Sequence, residues 1–127
     1  MNIYGIGTDI VSVDRIKDSL KNKKFINRIF NKKEILKCKK INNSINCYAK
    51  RFAAKEAFSK ALGTGISSGI NFNEIIILNK KSGKPYISII GSTKKVLNKK
   101  LKRKKSKISL SLSDEKKYAV AFVTISS

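Results

Sequence analysis

The sequence contains no histidine, a single proline, two cysteines and only eight acidic residues among 127. The missing histidine excludes Ser-His-Asp triads, Cys-His dyads and every histidine-ligated metal. A catalyst built from this chain must use carboxylates, lysines, hydroxyls or a metal-bound water. One proline and seven glycines exclude collagen-like and proline-rich classes. No run approaches the roughly 18 apolar residues that span a bilayer. The start, MNIYGIGTDIV, lacks the basic-then-apolar order of a secretory signal. Cys38 and Cys47 make neither a disulfide framework nor a metal-ligand spacing, so the expected compartment is a reducing cytoplasm.

What is abundant is lysine. A hydrophobic content of 41% suits a globular chain with one core, read here as a single domain over residues 1–127, and the net charge is +21. Lysines number 25 and arginines 4, and Lys, Asn and Ile, all with AT-rich codons, together account for 55 residues. The charge has two readings of equal standing, composition drift and a real anionic partner, and such a field steers acidic partners whatever its origin. The charge is uneven. Residues 21–60 carry +11 and residues 94–107 carry +9, while residues 1–20 and 108–127 carry −1 and 0.

Periodicity predicts a first strand over residues 2–11, then a helix capped by Ser12 with Val13, Ile16 and Leu20 on one side. An apolar rhythm follows over 25–30, and Asn31 with Glu34 reads as a capping box opening a solvated, lysine-covered helix. Residues 44–62 form the strongest helix, closed by Gly63 within a Gly63-Thr64-Gly65 turn. Two hairpins, over 74–90 and over the C-terminal KISLSLS and KYAVAFVTI runs, flank a basic helix at 93–105. The order β-α-α-α-ββ-α-ββ indicates an α+β fold, an antiparallel sheet with helices packed on one side.

Two carboxylates stand where carboxylates are uncommon. On a helical wheel Glu56 falls about 20° from Ile45, amid Phe52, Ala49 and Ala53, with Lys60 one turn on. An i,i+4 Glu56–Lys60 ion pair at the edge of the stripe is the simple reading. Asp9 interrupts a strand after two glycines, Gly5 and Gly7, which permit close approach of a backbone or ligand; its simple reading is a cap on the Ser12 helix. Taken together, two carboxylates without histidine suit a hard, oxygen-ligated Mg²⁺ that also binds phosphate, with Lys60 and Arg51 adding positive charge.

GIGTDIVSVDRI (5–16) and RFAAKEAFSKALGTGI (51–66), with SGKPYI (82–87) and SLSDEKKYAVAFV (111–123), resemble the signatures of the holo-acyl-carrier-protein synthases in order, separation and total length. The resemblance implies the 4′-phosphopantetheinyl transferase fold. It implies transfer of 4′-phosphopantetheine from coenzyme A to a serine of apo-acyl carrier protein, releasing adenosine 3′,5′-bisphosphate. It also implies homotrimers with active sites between subunits. Matched position by position, Asp9 and Glu56 would ligate Mg²⁺, and Glu56 or a metal-bound water would act as base. Lys60 would contact the pyrophosphate, Arg51 would lie near the 3′-phosphate, and Ser59, Gly63, Lys84 and Pro85 would border the coenzyme. Arg15, Lys21, Lys24 and Arg28 would grip the acidic carrier. Where many members of the family carry a histidine and others an acidic residue, this chain has Asp114, which would repel a phosphate unless it turns away or nearby lysines compensate.

Two other classes compete. A nucleic-acid module could use residues 94–107, but the basic residues there are nearly all lysine and the segment lacks aromatic residues for base stacking. A peripheral membrane protein would need aromatic anchors on a lysine-rich helix, and none is present. The expected partners are coenzyme A and a carrier protein, without a specific nucleic acid or a membrane.

Overall fold

A computed structural model describes residues 2–64 and 69–127. The elements run β1 (Ile3–Ser12), α1 (Val13–Ser19), α2 (Lys23–Ile29), α3 (Lys32–Lys39), α4 (Ser44–Leu62), β2 (Ile75–Asn79), β3 (Pro85–Ile89), α5 (Gly91–Lys100), β4 (Lys107–Asp114) and β5 (Tyr118–Ser126). The chain is α+β and antiparallel, as the periodicity predicts. It carries one helix more than expected, because the rhythm at 25–30 is a separate helix capped by Asn22.

The expected single sheet is two. β1, β5 and β4 form a three-stranded antiparallel sheet in the order β1-β5-β4, and β2 pairs only with β3. β3 lies alongside β4 without a ladder between them. The basic helix is also shorter than predicted. It ends at Lys100, and Lys102 and Arg103 adopt left-handed backbone (φ 52° and 62°), which a continuing helix cannot contain. The third helix is not simply solvated. Its capping box forms as predicted, but Glu34 and Cys38 are completely buried. Cys38 and Cys47 are joined as a disulfide between α3 and α4, contrary to the expectation of no disulfide; their Cα atoms are 5.5 Å apart, inside the usual bridging range. The turn residue Gly65 lies outside the described residues.

α4 is the spine, packed across β1 and β5. Its Ala53, Ala57 and Ala61, four apart, are fully or almost fully buried. The opposing strand has no side chain where the helix crosses. A Cβ on Gly5 would lie 1.8 Å from the Ala61 carbonyl oxygen, and one on Gly7 would lie 1.9 Å from that of Ala57. Those two glycines therefore admit a helix backbone rather than a ligand. Larger groups fill the remaining volume. Phe58 and Leu62 are completely buried, each contributing roughly 1.5–3 kcal/mol relative to exposure. The other face of the large sheet stays open, with Ile6, Ile10, Tyr118, Val120 and Phe122 all exposed. Among the described residues no helix is long and apolar enough to cross a membrane.

Candidate active site

Side chains alternate along β1, so Gly5, Gly7 and Asp9 share the face turned toward α4. With no Cβ at Gly5 or Gly7, the helix sits close enough for its next turns to reach Asp9. Lys60 Nζ donates to Asp9 Oδ1 at 3.1 Å and to the Thr8 carbonyl at 3.0 Å. Lys60 thus pairs with a carboxylate on another element, where an i,i+4 partner on its own helix was the simple reading. Asp9 pairs with Ala121 in mid-strand, while Ser12 itself caps α1, so Asp9 is not a helix cap. The second carboxylate oxygen, Asp9 Oδ2, is buried with no hydrogen-bond partner.

Glu56, one turn before Lys60, lines the same cavity of about 490 Å³ as Asp9, Lys60 and Arg15, with Phe25 and Phe52 as its apolar wall. Its carboxyl is pushed above the usual range. Burial is the larger cause, the negative charge of Asp9 adds to it, and Lys60 opposes both. Two carboxylates that repel one another, one with an orphaned buried oxygen, form a donor set that a divalent cation would satisfy. Among the described residues no cluster of three His, Cys, Asp or Glu side chains exists. Two carboxylates are what Mg²⁺ takes when water and phosphate oxygens complete its shell.

The remaining predicted residues divide. Arg51 lies five residues earlier on α4 and opens to a different cavity, of about 520 Å³, shared with Asn79 and Pro85. It is only 4% exposed. Its Nη2 donates to Asn79 Oδ1 at 2.9 Å and its Nη1 to the Cys47 carbonyl at 3.3 Å and to Cys47 Sγ at 3.2 Å. Burial works against its charge. Lys84 is exposed on the β2–β3 turn. Ser59 is buried, and its hydroxyl donates to the Glu56 carbonyl at 2.8 Å. Gly63 closes α4 in left-handed backbone, φ 81°, and its N–H donates to the Ser59 and Lys60 carbonyls. Arg28 lines a third cavity beside Phe52 and Glu56. Lys21 forms an exposed pair with Asp18 at 3.5 Å, and Lys24 lies exposed on α2.

Sequence reasoning missed one pair. Lys55, next to Glu56, is completely buried with Glu34. Its Nζ donates to Glu34 Oε1 at 2.6 Å, to the Phe72 carbonyl at 2.9 Å and to the Ile75 carbonyl. Glu34 also accepts from the backbone of Asn31 and Ile77. A signal was present, since Lys55 falls about 20° from Tyr48 on the helical wheel, beside the apolar stripe.

A paired-carboxylate cavity with an adjoining lysine, on a helix laid over a glycine-bearing strand, suits a cation and a phosphate ligand. Comparison with known proteins agrees. A family profile described as the 4′-phosphopantetheinyl transferase superfamily matches residues 5–123. The chain is 51% identical over 125 residues to the holo-[acyl-carrier-protein] synthase of Pelagibacter ubique, with 98% of each chain covered. It superposes on the holo-[acyl-carrier-protein] synthase of Neisseria meningitidis with a TM-score of 0.88 at 42% identity, covering 98% of this chain and 99% of that one. It superposes on a holo-(acyl-carrier-protein) synthase of Bacillus anthracis, solved in complex with CoA (3′,5′-ADP), with a TM-score of 0.81 at 35% identity, covering 98% and 97%. The chain belongs to the 4′-phosphopantetheinyl transferase superfamily, and within it to the holo-[acyl-carrier-protein] synthases.

Proposed function

We propose that this enzyme transfers 4′-phosphopantetheine from coenzyme A to a serine of apo-acyl carrier protein, in a Mg²⁺-dependent reaction that serves fatty acid biosynthesis in the cytoplasm. The observation that carries this reading is the convergence of Asp9, Glu56 and Lys60 on one cavity, with Asp9 Oδ2 buried and unpartnered. The relatives' coenzyme A complex supports the donor, and their names support the acceptor.

In the reaction the serine oxygen bonds to the phosphorus that bears the pantetheine. The bond from that phosphorus to the 5′-phosphate oxygen breaks, and adenosine 3′,5′-bisphosphate leaves. Asp9 and Glu56 would hold Mg²⁺, which supplies charge neutralisation at the pyrophosphate. Lys60, already tethered to Asp9, adds a fixed positive charge at the mouth of the cavity. Glu56, whose carboxyl is raised by burial and by Asp9, would take the serine proton. Arg15, in the same cavity wall, presents a cation to an acidic carrier helix.

The coenzyme residues divide between two cavities within one chain, Arg51 and Pro85 in one and Asp9, Glu56 and Lys60 in the other. That division, with the exposed apolar face of Ile6, Ile10, Val120 and Phe122, supports a homotrimer whose active sites are completed by a neighbouring copy. Light scattering of Phe122→Lys tests this; the expected result is a monomer without activity, and a trimer would overturn this face as the contact.

Intact-mass spectrometry of apo-acyl carrier protein incubated with the enzyme, coenzyme A and Mg²⁺ tests the reaction. The expected outcome is a gain of one phosphopantetheine, lost with EDTA and lost in Asp9→Ala. No gain with several carriers from a folded trimer would overturn it.

A further inference from the structure

The cavity beside Arg51 gathers five cations, Arg51, Lys37, Lys50, Lys80 and Lys81, around one carboxylate, Asp114. Asp114 ends β4 and reaches across to α4. Asn46 Nδ2 donates to Asp114 Oδ2 at 2.8 Å and to the Glu115 carbonyl at 2.9 Å, and Lys50 Nζ lies 3.5 Å from Asp114 Oδ1. Asn46 and Lys50 are one helical turn apart, which is why a single carboxylate engages both. Arg51 spends Nη1 and Nη2 on Cys47 and Asn79, and its Nε is buried without a partner. Lys50 is the second cation that α4 adds to this wall, beside Lys37, Lys80 and Lys81, and Asp114 already holds it. The Lys50 and Asp114 side chains are 32% and 27% exposed, so the pair is reachable and only partly screened.

We propose that Asp114 is a specificity-determining residue. By occupying Lys50 and adding a negative charge to the cavity, it reduces the affinity that a second phosphate on the adenosine contributes. This chain would then distinguish a nucleoside bisphosphate from a nucleoside monophosphate less sharply than the same cavity would without that carboxylate. The inference rests on the coenzyme A reading above, in which the nucleotide end lies beside Arg51 and Pro85. Removing one carboxylate charge about 6 Å from a phosphate dianion, in surroundings close to water, changes binding by about tenfold.

The test is calorimetric titration of the whole enzyme with adenosine 3′,5′-bisphosphate and with adenosine 5′-monophosphate. The variants are Asp114→Asn, Lys50→Met and the double substitution. Asparagine keeps an oxygen for Asn46 and the shape of the side chain, so Asp114→Asn isolates the charge. The expected result is bisphosphate affinity about tenfold tighter in Asp114→Asn, with monophosphate affinity within about twofold of the original. Lys50→Met alone is expected to weaken bisphosphate affinity by about tenfold, because it leaves Asp114 as an uncompensated negative charge. Added to Asp114→Asn, it is expected to cancel most of the gain. Equal effects of Asp114→Asn on both nucleotides, or none, would overturn the assignment of Asp114 while leaving the transfer reaction standing. Failure of the unsubstituted enzyme and of Asp114→Asn alike to bind the bisphosphate would overturn the coenzyme reading and this inference with it.

Discussion

Consecutive residues of α4, Lys55 and Glu56, belong to opposite kinds of polar site. Lys55 points into a sealed one. Both it and Glu34 are completely buried, and between them they make hydrogen bonds to the Phe72 and Ile75 carbonyls and to the Asn31 and Ile77 amides. Glu56 points into an open one, where it and Asp9 repel each other and Asp9 Oδ2 has no partner. The sealed site holds α3, α4 and β2 together. The open site is destabilised as it stands, which agrees with the cation and phosphate binding proposed for it.

Four substitutions would sharpen or break this contrast. The largest effect is expected from Lys55→Met, which leaves Glu34 as a buried charge without its partner. Stability should fall by about 3–5 kcal/mol, read as a drop in Tm of roughly 10–20 °C. A drop under a few degrees would mean that the sealed site is not what braces the fold.

Glu56→Gln should do the reverse. Phosphopantetheine transfer at saturating Mg²⁺ should fall about 10²–10³-fold, while the metal-free protein becomes more stable at neutral pH. The sign follows from the raised carboxyl. The charged form is disfavoured in the fold, so Glu56 lowers stability as pH rises through its raised pKa, and glutamine removes that loss. Normal turnover in this variant would rule out both its base role and its importance as a ligand.

Glu74 is a third carboxylate, satisfied yet near the surface. It accepts from the Ser92 and Thr93 amides and so caps α5 from a distant segment, in place of Ile90, which cannot. Burial would raise its carboxyl, but hydrogen bonds from Thr93, Asn71 and Ser92 outweigh that and hold it at about 2. Its contribution is therefore complete above the ordinary carboxylate range and is lost as pH falls toward about 2. Glu74→Gln should cost about 1 kcal/mol at neutral pH and flatten that part of the acid unfolding curve. An unchanged acid limb would show that the cap contributes nothing.

The smallest effect is expected from Arg15→Glu in the wall of the open site. KM for the carrier should rise about fivefold, just under 1 kcal/mol, with KM for coenzyme A unchanged. Equal changes in both would remove Arg15 from carrier docking.

Much of this was legible in the residues. The α4 span and its Gly63 stop followed from helix formers and a C′ glycine, the first hairpin from β-branched runs about a glycine loop, and the second from period-two runs. Asp9 and Glu56 stood out because a carboxylate in a strand or an apolar stripe needs a reason. The burial of Glu34 was not legible. Asn31 and Glu34 look like a local capping box, and nothing within eight residues of sequence reveals a lysine 21 positions away. The split into two sheets was equally hidden, because strand runs report pairing tendency and not which neighbour completes the ladder.

By itself the sequence determined the class of fold, the strongest elements and the two carboxylates proposed to carry the chemistry, because hydrophobic period, caps and misplaced charges are local properties. Tertiary structure decided which partner each charge meets. Lys60 turned to Asp9 instead of Glu56, Lys55 found Glu34, and Asp114 took Lys50, since each choice depends on how closely α4 approaches β1, α3 and β4. The approach to β1 follows from Gly5 and Gly7, whose missing side chains matter only once a helix backbone lies against them.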